Sequence, residues 1–211
     1  PLATLRAFID WTPFFRSWGL AGPFPRILED EVVGEEATSL FRDAEALLDA
    51  WEQAEDAPEC RAAHGIFQAG RTAPETVTVF ASDGSTALGD FEFLRQQTEQ
   101  RTGVQRSLAD FIAPSDGAAT DAIGCFAVAV HGIDAIARAH ERDGDDYQSI
   151  LVKAVGDRLA EAMAEWLHQH VRTTTWGYAA EENLTNQELI KEAYRGIRPA
   201  PGYPACPDHL D

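Results

Sequence analysis

The chain has 211 residues, 45% hydrophobic and 25% charged, proportions ordinary for a soluble globular protein with enough length to bury a core. With 35 acids against 17 bases the formal charge is −18, a surface that repels phosphate backbones and argues against nucleic acid as a partner. No apolar run reaches the roughly eighteen residues of a membrane-spanning helix, and the N-terminus lacks the basic-then-apolar pattern of a signal peptide.

The cysteines, Cys60, Cys125 and Cys206, are odd in number and scattered, with no CxxC pair. That pattern fits a reducing, cytoplasmic setting without a disulfide framework. The chain opens on Pro1-Leu-Ala-Thr-Leu5 without an initiator methionine, as expected of a piece of a longer polypeptide.

The first third predicts helices. Thr12-Pro13 supplies an N-cap and a first-turn proline ahead of Phe14, Phe15 and Trp18, and Gly19, Gly22, Pro23 and Pro25 close the segment. Trp11, Phe14, Phe15 and Trp18 form a core cluster, part of which could line a pocket. Asp10, just before them, suits turn or cap chemistry. A second helix is marked by Ala37, Leu40, Phe41, Ala44, Leu47, Leu48 and Trp51 at helical spacing.

The middle third predicts strands over 63–69, 76–81, 108–113 and 122–130. Ser82-Asp-Gly-Ser85 gives a turn, and the last strand is apolar enough to be buried on both faces. The final third returns to helix, a long one from Asp145 to Thr173 and a shorter one from Thr185. Thr185-Asn-Gln-Glu188 is a capping box, flanked by Leu184 and Leu189 as a hydrophobic staple, with Gly196 as the expected C-terminal stop. Beyond it, Arg198 leads into four prolines and a glycine between Pro199 and His209, a stiff loop carrying a guanidinium and the Tyr203 ring. Such a loop suits a small zwitterionic ligand. The chain predicts one domain over 1–211, without repeats.

Familiar catalytic sets are missing from the sequence. Glu165 and His168 make one Glu-x-x-His, half of a di-iron motif without its second half, and read as a helix face. There is no Gly-x-Ser-x-Gly elbow, no Gly-x-Gly-x-x-Gly and no phosphate-binding loop. No metal site and no catalytic residue is assigned. Asp157, Glu161 and Glu165 lie four apart on one helix face. They form either a solvated acidic surface or a face offered to a partner domain or cationic ligand.

Taken together, Ile9-Asp-Trp-Thr-Pro-Phe-Phe15, Pro25 through Gly34, Leu94 through Thr98, Asp145-Asp-Tyr147, Lys153, Asp157 through Glu161, Trp176-Gly-Tyr178 and Arg198 through His209 run in order along essentially the whole chain. This set resembles the activation domain of cobalamin-dependent methionine synthase. The resemblance implies an α+β fold, a bent antiparallel β-sheet surrounded by helices in a single domain. It implies binding of S-adenosylmethionine, whose methyl group is offered to cob(II)alamin held by a neighbouring cobalamin-binding domain, with an electron from flavodoxin or a reductase. The parent enzyme would be a methyltransferase of methionine biosynthesis, and the isolated domain mainly a binding and reactivation module.

By the same resemblance, Arg198 would hold the ligand carboxylate and Asp10 its cationic part. Ala200, Gly202 and Tyr203 would flank the ligand, with Glu161 and Glu192 nearby, and Asp157 and Tyr203 would face the cobalamin domain. The family domain continues past Asp208-His209 through a further ligand-contacting tyrosine, so part of the pocket is expected beyond this chain. An acidic flavodoxin would need a basic patch, for which Arg172, Lys191, Arg195 and Arg198 are the candidates. The competing expectation is a ligand-free acidic module that docks on a neighbouring cofactor domain.

Overall fold

The computed structural model describes residues 1–98, 103–117, 121–200 and 206. In chain order the helices are α1 (Leu2–Arg6), α2 (Thr12–Ser17), α3 (Gly34–Gln53), α4 (Ile133–Arg142), α5 (Asp146–His170) and α6 (Asn186–Ile190). The strands are β1 (Glu59–Arg71), β2 (Thr76–Phe80), β3 (Ala87–Glu92) and β4 (Asp121–His131). They make one sheet in the order β3-β2-β1-β4, with β2 antiparallel to both β1 and β3. The α+β class with an antiparallel sheet agrees with expectation. The contacts divide the chain into two compact units.

The first unit comprises Pro1–Ala63 and Ala127–Arg195. Its core is where the apolar faces of the two long helices meet: Ala37, Leu40, Ala44, Leu48 and Trp51 of α3 are buried, as are Leu151, Val155, Leu159 and Met163 of α5. On the same helix Ile150 faces out at 52% exposure, while Val152 is buried. Phe14 and Phe15 of α2 are fully buried. At about 1.5–3 kcal/mol for each such side chain, the pair outweighs the helix propensity of a six-residue segment. Trp11 meets Phe41 edge-on at 5.0 Å and Phe14 at 5.3 Å. The aromatic cluster is therefore core, and Trp18 leans on Tyr147 at 5.4 Å.

Two features fix helix positions in this unit. α4 and α5 approach so closely at Gly156 that a Cβ there would lie 2.9 Å from the Ile133 side chain. Arg6 ties α1 to α3 through Glu45 at 2.6 Å, Asp49 at 2.5 Å and Glu52 at 3.3 Å.

The second unit comprises the described residues of His64–Phe126 and of Gly196–Asp211. β2 is its central strand, with Val77, Thr78 and Val79 buried and Val77 opposite Phe91. Ala69, Val77, Phe93 and Ala109 form the small core. Arg95 gathers the following loop. Its guanidinium donates to both Asp110 oxygens at 2.8 and 2.9 Å, to Gln105 O at 2.9 Å and to Pro74 O at 2.8 Å.

Two expectations are corrected here, and two elements are added. The stretch 108–113, read as a strand, contains a 3-10 turn at Leu108–Phe111, because Ser107 and Asp110 form a capping box. β4 is not buried on both faces: Gly124 through Ala127 are exposed. β3 and α4 were not anticipated.

Candidate functional site

Asp10 sits half-buried immediately before α2, and its Oδ1 accepts from Thr12 N–H at 2.9 Å. Asp10 thus closes a turn onto the first residue of α2, whose N-cap, Trp11, makes no side-chain cap bond. The hydroxyl of Thr12, expected to cap, instead accepts from Phe24 N–H at 3.2 Å. The carbonyl of the preceding Ile9 accepts from Asn186 Nδ2 at 3.2 Å, across 177 positions of sequence. The segment of Asp10 and the start of α6 are therefore tied together within the first unit.

α6 begins as predicted. Glu188 Oε2 accepts from Thr185 N–H at 2.8 Å, and Glu188 N–H donates to Thr185 Oγ1 at 3.4 Å. Leu189, in the staple position, is buried. The helix ends earlier than expected, at Ile190, and the residue that stops it is Glu192 rather than Gly196. Glu192 N–H donates to Leu189 O at 2.8 Å and Ala193 N–H to Glu188 O at 3.0 Å. That pair of bonds is a Schellman motif, which places the residue after the C-cap in the left-handed region. Glu192 has φ 55° there, where glycine is the usual occupant. Its exposed side chain makes no hydrogen bond or ion pair among the described residues.

α5 presents Asp157 and Glu161 to solvent, while Glu165 is half-buried. The acidic face predicted from spacing thus exists at its first two positions. His168 packs edge-on against Tyr194 at 4.8 Å. Among the described residues no group of three or more His, Cys, Asp or Glu is arranged to hold a metal. Cys60 is half-buried and its thiol is pushed up by burial, the opposite of an activated nucleophile. Cys125, expected inside a buried strand, is exposed.

Beyond α5 the helix widens into a π turn over Val171–Thr175. Arg172 on that turn is fully buried, which removes it from the expected basic patch. Its guanidinium grips Glu182 with Nε to Oε2 at 3.0 Å and Nη2 to Oε1 at 2.6 Å. It lies 4.1 Å from the centre of the Tyr194 ring. Lys191 and Arg195 remain exposed. Tyr178 donates to Arg195 O at 3.2 Å, and burial is the main cause of its raised phenol pKa.

Asp10, Glu161 and Glu192 thus all belong to the first unit, whereas Arg198, half-buried, and Ala200, exposed, belong to the second. Gly202 and Tyr203 lie outside the described residues. The first unit offers carboxylates with unused acceptor capacity: Glu161, Glu192 and the second oxygen of Asp10 have no partner among the described residues. Sequence reasoning missed the Arg172–Glu182–Tyr194 group and Asn186, because each partner lies in a different turn and no spacing rule joins them.

The fold defines a class, an α+β domain in which long amphipathic helices accompany an antiparallel four-stranded sheet. Over residues 1–211 the chain matches the family model described as vitamin B12 dependent methionine synthase, activation domain, and it belongs to that family. Among solved structures it is similar to the crystal structure of the MetH reactivation domain bound to AdoHcy, with 50% identity and a TM-score of 0.92. The match covers 99% of this chain and 64% of that one, so the chain spans under two thirds of its relative's length. No helix among the described residues is long and apolar enough to cross a membrane.

Proposed function

We propose that residues 1–211 serve as an S-adenosylmethionine-binding activation domain of a larger cobalamin-dependent methionine synthase in the cytoplasm. The observation that carries this is the 50% identity, over 99% of the chain, to a reactivation domain crystallised with AdoHcy, the demethylated form of that ligand. The unused carboxylates of the first unit support it, because S-adenosylmethionine carries both an ammonium and a sulfonium. When bound, S-adenosylmethionine supplies a methyl group which, with one electron, converts cob(II)alamin of a neighbouring domain to methylcobalamin, leaving S-adenosylhomocysteine. The electron would come from flavodoxin or a reductase.

This chain's own residues bind and orient. Arg198 grips the methionyl carboxylate through its planar fork. Asp10, Glu161 and Glu192 supply negative charge to the ammonium and sulfonium. Ala200, Gly202 and Tyr203 are assigned to the ligand's flank, where an aromatic residue suits a sulfonium. Asp157 and Tyr203 face the cobalamin-binding domain. The methyl transfer to homocysteine that defines the parent enzyme is left to its other domains.

Calorimetric titration of the 211-residue chain with S-adenosylmethionine tests this. Binding is expected, and Arg198→Ala is expected to weaken it at least tenfold, about 1.4 kcal/mol. Unchanged affinity in the variant overturns the role of Arg198. A wild-type melting temperature that does not move at millimolar ligand favours instead an acidic docking module without a ligand, or a pocket that requires the segment following Asp208-His209 in the family domain.

A further inference from the structure

We infer that Arg172 is a positioning residue for ligand binding, holding Glu192 in place through one buried guanidinium clamped between Glu182 and Tyr194. The inference rests on the assignment of Glu192 to the S-adenosylmethionine site. It begins with the π turn. There Trp176 N–H bonds Val171 O, five residues back, at 2.9 Å, and such single widened turns recur where a helix must redirect a side chain. The redirected side chain is Arg172, 0% exposed. A guanidinium out of water needs a close counter-charge, and Glu182 supplies both of its oxygens.

The two groups that enclose Arg172 come from opposite ends of one excursion of the chain. Glu182 lies on its way out and Tyr194 on its way back, the ring 4.1 Å from the guanidinium carbon. The Arg172 carbonyl adds a third tie, accepting from Ala179 N–H at 2.9 Å. Everything between, including α6 and Glu192, is a segment closed at both ends by one side chain. Two further restraints act inside it: Asn186 holds the start of α6 to Ile9, and the Schellman bonds fix the end.

Glu192 needs such confinement. A non-glycine residue at φ 55° persists where its surroundings over-determine the backbone. Tyr194, two positions on, is the nearest of those surroundings that is itself anchored. A fork on two oxygens combined with a ring face also fixes orientation, which an apolar filling of the same space would not.

The test is a double-mutant cycle on the 211-residue chain, read as S-adenosylmethionine affinity by calorimetry, with folding of each protein checked by circular dichroism at the titration temperature. Tyr194→Leu removes the ring face and is expected to weaken binding about tenfold, and Tyr194→Phe, which keeps it, to restore affinity to within about twofold. Glu192→Gln is expected to weaken binding about tenfold, and Tyr194→Leu with Glu192→Gln to be no more than about twofold weaker than Glu192→Gln alone. Such non-additivity marks action through Glu192 and would not arise from general loosening.

Additive losses, approaching a hundredfold in the double variant, overturn the inference, as does a Tyr194→Leu protein that binds like the wild type. Both leave the ligand assignment intact. A wild type that does not bind overturns that assignment and the inference with it, and a Glu192→Gln protein of unchanged affinity removes the role that Arg172 would support. If Tyr194→Leu does not fold, the isosteric Glu182→Gln takes its place in the same cycle, with the same outcomes.

Discussion

Glu192 sits where its own Cβ crowds the backbone, at a cost of roughly 1–2 kcal/mol that a glycine would not carry. Glu192→Gly is therefore expected to raise unfolding stability by about 1 kcal/mol in urea titrations while weakening S-adenosylmethionine binding. A variant that is both more stable and equally tight would leave the carboxylate without a role. Asp10 allows the complementary separation. Asp10→Asn keeps an oxygen to accept from Thr12 N–H and removes the charge. Its stability should stay within about 0.5 kcal/mol of the wild type while affinity falls. If stability drops and affinity holds, the carboxylate only closes the turn before α2.

At the scale of elements, Arg95 organises the loop between β3 and β4. It also holds the Asp110 carboxyl well below the ordinary 3.8, with the Ser107 N–H as second cause. A depressed folded-state value means the unfolded chain binds the proton first as pH falls. The interaction is therefore fully present above the ordinary carboxylate value and is lost as acid titrates Asp110 below it. Asp110→Asn should flatten the fall in stability below about pH 4 in acid-unfolding curves. A variant with an acid limb as steep as the wild type would place the sensitivity elsewhere.

Elements were legible from the sequence in proportion to how locally they are determined. α3 and α5 carry their own apolar stripes, and the Thr185 box announces α6 four residues at a time. The Leu108–Phe111 turn was misread because its short apolar run outweighed the Ser107–Asp110 box beside it. β3 contains Gly89 and Asp90, poor strand formers, and exists because β2 offers it a ladder. α4 begins after Gly132 at φ 97° with no side-chain cap to mark it. In the candidate site, Asp10 was visible as a ligand residue only through resemblance, whereas Arg198 was marked by the proline-rich loop it opens. The burial of Arg172 was not visible, since the Glu182 and Tyr194 that enclose it are distributed along a loop.

On the scale of the whole molecule, the −18 charge sets the response to salt. With 35 acids and 17 bases, repulsion among unmatched carboxylates outweighs the attraction of the surface pairs, each worth at most about 1 kcal/mol. The melting temperature should rise as sodium chloride increases from about 10 mM to about 1 M, where the screening length shrinks from about 30 Å to about 3 Å. A falling melting temperature would show that ion pairs dominate instead.

Three of those pairs share one cation, Arg6. Glu45, Asp49 and Glu52 lie on successive turns of α3, and Arg6 is the cation that reaches all of them. The peptide bond after Arg6 is also a trypsin site. Nicking there, or trimming α1 from an expression clone, would remove more than a five-residue helix. It would strip the counter-ion from a 20-residue helix at the centre of the first unit's core and leave three stacked carboxylates to repel one another.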